Sequence, residues 1–207
     1  MKLTKEQEAA LVGMILGDGY LQKTGKKNAR LRLEHRADHK DYLSWKTKLL
    51  PELFQGSPTF LSRKHPLTQK TYNYVRHQSN SSSLLGEYQR IFYPNDKKQI
   101  PKNLGKFLKS DIALAIWYFD DGYYYSRDNC AYIYLGKVSR EEAIIASQSI
   151  KESFNLDNRI LDKKKKGFVL YFPAKELNRL KTIVEKYTVP VMAYKIKFTQ
   201  PRNDLSQ

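Results

Sequence analysis

Apolar residues gather in two runs that resemble each other. The first reads Leu11-Val12-Gly13-Met14-Ile15-Leu16 and continues into Gly17-Asp18-Gly19-Tyr20. The second reads Leu114-Ala115-Ile116-Trp117-Tyr118-Phe119 and continues into Asp120-Asp121-Gly122-Tyr123. Each predicts a buried helix that stops at Asp-Gly-Tyr, with glycine as the left-handed residue that ends it. Asp18 and Asp121 lie 103 positions apart in a chain of 207 residues. That spacing reads as one duplication, since a solenoid would need more copies.

The flanks repeat as well. After each Asp-Gly comes a polar turn and a stretch of alternating character, 30–34 in the first half and 131–135 in the second. Such alternation predicts a half-buried strand. Amphipathic helices are expected over 38–50 and 139–154, the latter opened by a capping box of Ser139 and Glu142. Strand pairs follow at 59–64 with 72–78, and at 159–163 with 168–172. A third helix closes each half, over 82–92 and 174–187. The expected fold is α+β, an αββαββα unit repeated about a pseudo-twofold axis. The halves are 1–93 and 104–207, and 94–103, with Pro94 and Pro101, links them.

A single Asp-Gly is an ordinary helix end, but two invite a physical question. A carboxylate at a helix C-terminus opposes the dipole at a cost of about 0.3–1 kcal/mol. Gly13 and Gly17 share one helix face and would let another backbone come close. If the two apolar helices pack in parallel there, Asp18 and Asp121 converge. Two such carboxylates repel unless a cation bridges them or one is protonated. A hard divalent ion such as Mg²⁺ suits oxygen ligands of this kind. The second helix has Ile116 and Asp120 where the first has Gly13 and Gly17, so the contact should be asymmetric.

Charge then narrows the partner. Thirty-seven Lys and Arg oppose 21 Asp and Glu, a net charge of +16 spread along the chain. A folded domain this basic points to a polyanion, and so to nucleic acid. The one cysteine, Cys130, excludes an internal disulfide and fits a reducing compartment. No apolar run is long enough to span a membrane. The first residues lack a signal-peptide core, and Glu6 and Glu8 argue against a transit peptide. The expected location is where the chain is translated, a bacterial or archaeal cytoplasm or an organelle matrix.

With these residues in view, the sequence resembles the LAGLIDADG homing endonucleases of the single-chain, two-motif kind. Leu11–Gly19 and Leu114–Gly122 match the family nonapeptide in length and in its near-terminal acid. The subgroup typified by a yeast mitochondrial omega-intron enzyme is closer. Its Lys-Lys-x-Ile-Pro is matched by Lys97-Lys98-Gln99-Ile100-Pro101, and its Pro-x-Met-x-Tyr-Lys by Pro190-Val191-Met192-Ala193-Tyr194-Lys195. The resemblance implies that Asp18 and Asp121 bind metal, one per active site. It implies that the carbonyls of Gly17 and Asp120 also face metal. It implies that Lys98 and Lys195 polarise the attacking water or stabilise the transition state. It further implies two four-stranded antiparallel sheets forming a saddle over double-stranded DNA. The cuts would be staggered across the minor groove and leave 3′ overhangs. The cofactor expected is Mg²⁺, two or three ions, with Mn²⁺ as a substitute.

Target reading should fall to the strands, because the major groove admits a two-stranded ribbon and displays a full base code. In the first strand, Leu31 and Leu33 should face the helices, leaving Arg30, Arg32 and Glu34 for guanine and cytosine edges. Lys64, Arg76 and Gln78 are candidates in the next pair, and Tyr132, Tyr134 and Lys163 in the second half. The lysine run 163–166 is read as a phosphate-contacting hairpin. His35, His39, His65 and His77 show no metal-ligand spacing and are read as surface or groove residues. A monomer is expected, since both motifs lie in one chain. Three rivals stand beside the nuclease: a maturase binding its own intron RNA, a DNA-binding module without cleavage, and a ribosomal-type basic protein. The last leaves the duplicated acids unexplained.

Overall fold

The computed structural model describes residues 2–198. Helix α1 (Lys5–Leu16) starts at a capping box, in which Thr4 and Gln7 each accept the other's backbone N–H. Strands β1 (Tyr20–Lys23) and β2 (Ala29–Arg36), helix α2 (Lys40–Lys48), strands β3 (Thr59–Lys64) and β4 (Thr71–Gln78), and helix α3 (Ser83–Phe92) complete the first half. The second repeats the order with α4 (Asp111–Asp121), β5 (Gly122–Tyr125), β6 (Cys130–Gly136), α5 (Arg140–Phe154), β7 (Arg159–Asp162), β8 (Phe168–Phe172) and α6 (Ala174–Val184). The capping box of Ser139 and Glu142 is present at α5. Among the described residues, no helix is long and apolar enough to cross a membrane.

Both sheets are four-stranded and antiparallel throughout, in the orders β1-β2-β4-β3 and β5-β6-β8-β7. Alternation sends Leu31, Leu33 and Val75 to the helix side, where they are buried, and leaves Arg30, Arg32 and Arg76 on the other face. Ile133 and Leu170 do the same in the second sheet. The two motif helices lie between the halves. Residues Ala9 to Leu16 of α1 and Ile112 to Phe119 of α4 are all buried. They are therefore apolar all round rather than striped, as a central helix must be.

The asymmetric contact between α1 and α4 is a knob set into a hollow. A Cβ on Gly13 would lie 2.6 Å from the Ala113 carbonyl oxygen and 3.0 Å from Ile116 Cβ. One on Gly17 would lie 2.6 Å from Asp120 Cβ. Ile116 and Asp120 thus fill the space that the glycines leave. The glycines of the Asp-Gly pairs correct the sequence reading. Among the described glycines only Gly136 and Gly167 have positive φ, so Gly19 and Gly122 are not left-handed helix stops. They are small because the chain folds back tightly. A Cβ on Gly19 would crowd the Met14 carbonyl, and one on Gly122 would overlap the Tyr118 carbonyl and ring.

Candidate active site at the paired helix ends

Helix α1 ends at Leu16, so Asp18 stands just beyond it, whereas Asp121 is the last residue of α4. Lysines from distant segments meet them. Lys98, in the segment between the halves, donates to the Gly17 carbonyl. Lys195, in a 3-10 turn over Pro190–Ile196, donates to the carbonyls of Phe119 (2.6 Å) and Asp120 (3.1 Å). That turn is fixed by Tyr118, whose hydroxyl donates to the Lys195 carbonyl at 2.8 Å. One cavity is lined by Asp18, His35, Asp120 and Lys195, and a second by Gly17, Lys98 and Asp121. Each cavity thus draws groups from both halves. The structure brings all six residues expected at the chemistry together.

Behind them lies a polar network that sequence reasoning missed. The Asp120 carboxylate and Lys46 are fully buried. Lys46 Nζ reaches both carboxylate oxygens at 3.0 Å, and Tyr42 donates to Oδ1 at 2.9 Å. Oδ2 also accepts the backbone N–H of Asp18 at 3.0 Å. A carboxylate with this many donors is saturated, so its role is to hold the end of α1 against α4. The carbonyl of Asp120, not its carboxylate, faces Lys195. Lys46 carried a usable signal. It lies on the face of α2 that buries Tyr42 and Leu43, where a lysine requires a partner.

The charges here strain against one another. Burial raises the Asp18 carboxyl above its ordinary value, and Asp120 adds to the rise. Burial, followed by repulsion from Asp120 and Asp18, pushes Asp121 up to about 7. Burial would raise Asp120 too, but Lys46, with His35 and the Asp18 N–H, outweighs it and holds that group below the ordinary range. Burial draws both Lys98 and Lys195 down, while the three aspartates pull them back up.

His35 and His77 need correction. Both are buried, His77 beneath the sheet beside Phe54, and His35 with Nδ1 3.7 Å from Asp18 Oδ2. His35, Asp18 and Asp120 form a cluster of ligand-type side chains. Burial, with Lys46 nearby, takes His35 down to about 3, so its ring is neutral. Period two already contained this result, because His35 shares the parity of Leu31 and Leu33.

On the open faces of the sheets the expected readers divide. Arg32 lies over the Tyr20 ring at 4.9 Å and pairs in register with Gln78. Arg30 shares that face, with a buried Nε. Glu34 pairs in register with Arg76 and is bound by both Arg76 and Arg63, so its oxygens are engaged and do not accept from a cytosine. Lys64 is opposite Thr71 and has the parity of Phe60, which pairs with inward Val75. It therefore points away from the Arg76 face, and Arg63 takes the place expected for it. In the second sheet Tyr132 and Tyr134 lie on the open face, with Lys163 Nζ 5.0 Å from the Tyr132 ring centroid. Tyr123 and Tyr171, which pair with Tyr132, extend that surface and were missed.

Two antiparallel sheets flanking a parallel pair of central helices, with acids and lysines at the helix ends, define a pseudo-twofold α+β architecture with its candidate chemistry at the seam. The chain belongs to the LAGLIDADG DNA endonuclease family, whose profile matches residues 8–180. A relative named probable intron-encoded endonuclease 1, from Wickerhamomyces canadensis, is 29% identical over 95% of this chain and 86% of its own length. The homing endonuclease I-WcaI bound to its DNA recognition sequence superposes with a TM-score of 0.87. It has 27% identity, covering 97% of this chain and 89% of that one. I-DmoI in complex with DNA and Ca shares the fold at a TM-score of 0.52, with 14% identity over 90% of this chain and 92% of its own.

Proposed function

We propose that this protein is a site-specific homing endonuclease that makes a staggered double-strand break in DNA by metal-assisted phosphodiester hydrolysis. The observation that carries the reading is the convergence of Asp18 and Asp121 with two lysines at the paired helix ends. The donors fit a hard divalent cation. Carboxylates raised by burial and by the neighbouring Asp120 stand beside backbone carbonyls that already attract ammonium groups. Asp18 with the Asp120 carbonyl, and Asp121 with the Gly17 carbonyl, would hold Mg²⁺, and Mn²⁺ would serve in its place. The calcium in the I-DmoI complex supports a divalent ion. Bound there, the metal supplies charge to a phosphoryl oxygen and acidity to the attacking water.

The chain's own residues do the rest. Lys98 and Lys195, fixed beside the helix ends by the carbonyls they bind, hold positive charge where the phosphorane forms. The Asp120–Lys46 pair fixes the spacing of the helix ends. Each site would cut one strand across the minor groove, leaving 3′ overhangs. Both sites lie in one chain, so a monomer suffices. The test is selection of cleaved molecules from a randomised duplex library with Mg²⁺ and with chelator. Enrichment of one long site with Mg²⁺ alone is expected, and Mg²⁺-independent cutting or none would overturn the reading.

The titration of Asp121 offers a second check. In the metal-free protein its carboxyl releases a proton at about 7, whereas the ordinary value is 3.8. The unfolded chain releases it at the lower value. Metal-free stability from this group therefore falls as pH rises from about 4 to about 7. The groups facing it are Asp120, Asp18, Lys98 and Lys195. A divalent cation binds the deprotonated form. Mg²⁺ should therefore raise Tm more at about pH 8 than at about pH 5.5, and an equal rise at both would count against this site.

A further inference from the structure

We propose that Glu34 is a positioning residue that sets Arg63 and Arg76 as a paired guanine reader in one half of the DNA target. The proposal rests on the reading above only in that duplex DNA lies on the open face of the first sheet. Glu34 Oε1 accepts from Arg63 Nη1 at 2.6 Å, and Oε2 accepts from Arg63 Nη2 at 2.9 Å and from Arg76 Nε at 2.7 Å. The three residues come from three neighbouring strands, β2, β3 and β4. Arg63 is held from below as well, with its guanidinium 4.8 Å from the Tyr74 ring centroid. Two long cations on adjacent strands would otherwise splay apart. One carboxylate draws them together and sets the planes of both forks.

The array leaves each arginine able to read. A guanidinium has five N–H donors, and Glu34 takes two from Arg63 through its hydrogen bonds. Arg76 approaches it through Nε and Nη2, so Nη1 is untouched. Bidentate contact of an arginine to guanine O6 and N7 is the commonest specific pairing in the major groove. The same side chains line the cavity that reaches Asp18, so the array borders the cutting site rather than the periphery.

The second half has no counterpart. Register places Tyr132 where the first sheet has Arg32, since each pairs with a strand-start tyrosine, Tyr123 and Tyr20. Two positions on, Glu34 opposite Arg76 becomes Tyr134 opposite Val169. A tyrosine and a valine cannot accept or donate as the array does. The guanine pair is therefore a feature of a single half-site.

The experiment is a binding selection from randomised duplexes in Ca²⁺, which requires no cleavage, for the wild type, Glu34→Gln, Arg63→Ala and Arg76→Ala. The wild type should enrich guanine at two positions of one half-site. Each arginine variant should lose the preference at one position, by about tenfold or more. Glu34→Gln, with both arginines intact, should weaken both preferences while bases elsewhere in the site are unchanged. Three results would overturn the proposal: an enriched site without the guanine pair, an unaltered profile for Glu34→Gln, or arginine variants that weaken all sequences equally, as phosphate contacts would. Failure of the wild type to enrich any duplex would remove the DNA-binding reading along with it.

Discussion

Asp18→Asn is expected to leave a protein that nicks one strand of its target and spares the other, and Asp121→Asn to nick the opposite strand. Asparagine keeps the shape of the side chain but removes the charge that holds a divalent ion. Losing several kcal/mol of transition-state stabilisation slows a strand by about a thousandfold or more. Binding should persist, because the arginines and tyrosines of the open sheet faces are untouched by either change. Supercoiled plasmid carrying the target separates the outcomes, as nicked circles accumulate and linear product does not. Linearisation at the normal rate by both variants would sink the assignment. A control against misfolding comes from the same electrostatics. Asp121 is pushed up to about 7 by burial and by its neighbours, so a neutral residue there should raise Tm in the absence of metal. Loss of cutting with a gain in stability marks a catalytic position rather than a structural one.

Lys46→Met should be among the most destabilising single changes in the chain. Lys46 and Asp120 are both fully buried, and the lysine reaches both carboxylate oxygens at 3.0 Å. Removing one partner of such a pair leaves an uncompensated charge and costs about 3–5 kcal/mol. Tyr42 and the Asp18 N–H remain, but neither neutralises it. The double variant Lys46→Met with Asp120→Asn should recover much of the loss, since the charge is gone with its counterion. Denaturant unfolding of the two single variants and the double closes the cycle. Simply additive losses would mean that the two residues do not act as a pair.

The order of helices and strands was legible because two signals agreed. Apolar runs of helical length flanked stretches of period two, and the whole repeated. The site was legible at Asp18, Asp121, Lys98 and Lys195 through motifs rather than through composition, since any one of 37 basic residues looks alike. What escaped depended on contacts between distant residues. Lys46 and Asp120 are 74 positions apart, and nothing local announces that one neutralises the other. Register decided Lys64 against Arg63, because a shift of one residue moves a side chain to the other face. His35 was available from alternation, yet its polarity suggested the surface.

The knob and hollow between the motif helices has a consequence for how such a chain could have diverged. A first half paired with its own copy would set Gly13 and Gly17 against the same glycines, and the helices would have to move closer to fill the space that Ile116 and Asp120 now occupy. A second half paired with itself would press Ile116 on Ile116 and bring two buried Asp120 carboxylates together, without Lys46, which belongs to the other half. Neither self-pairing reproduces the fit of the cross-pairing. The two halves are therefore complements rather than copies, and a working chimera should join a half of the hollow kind to a half of the knob kind.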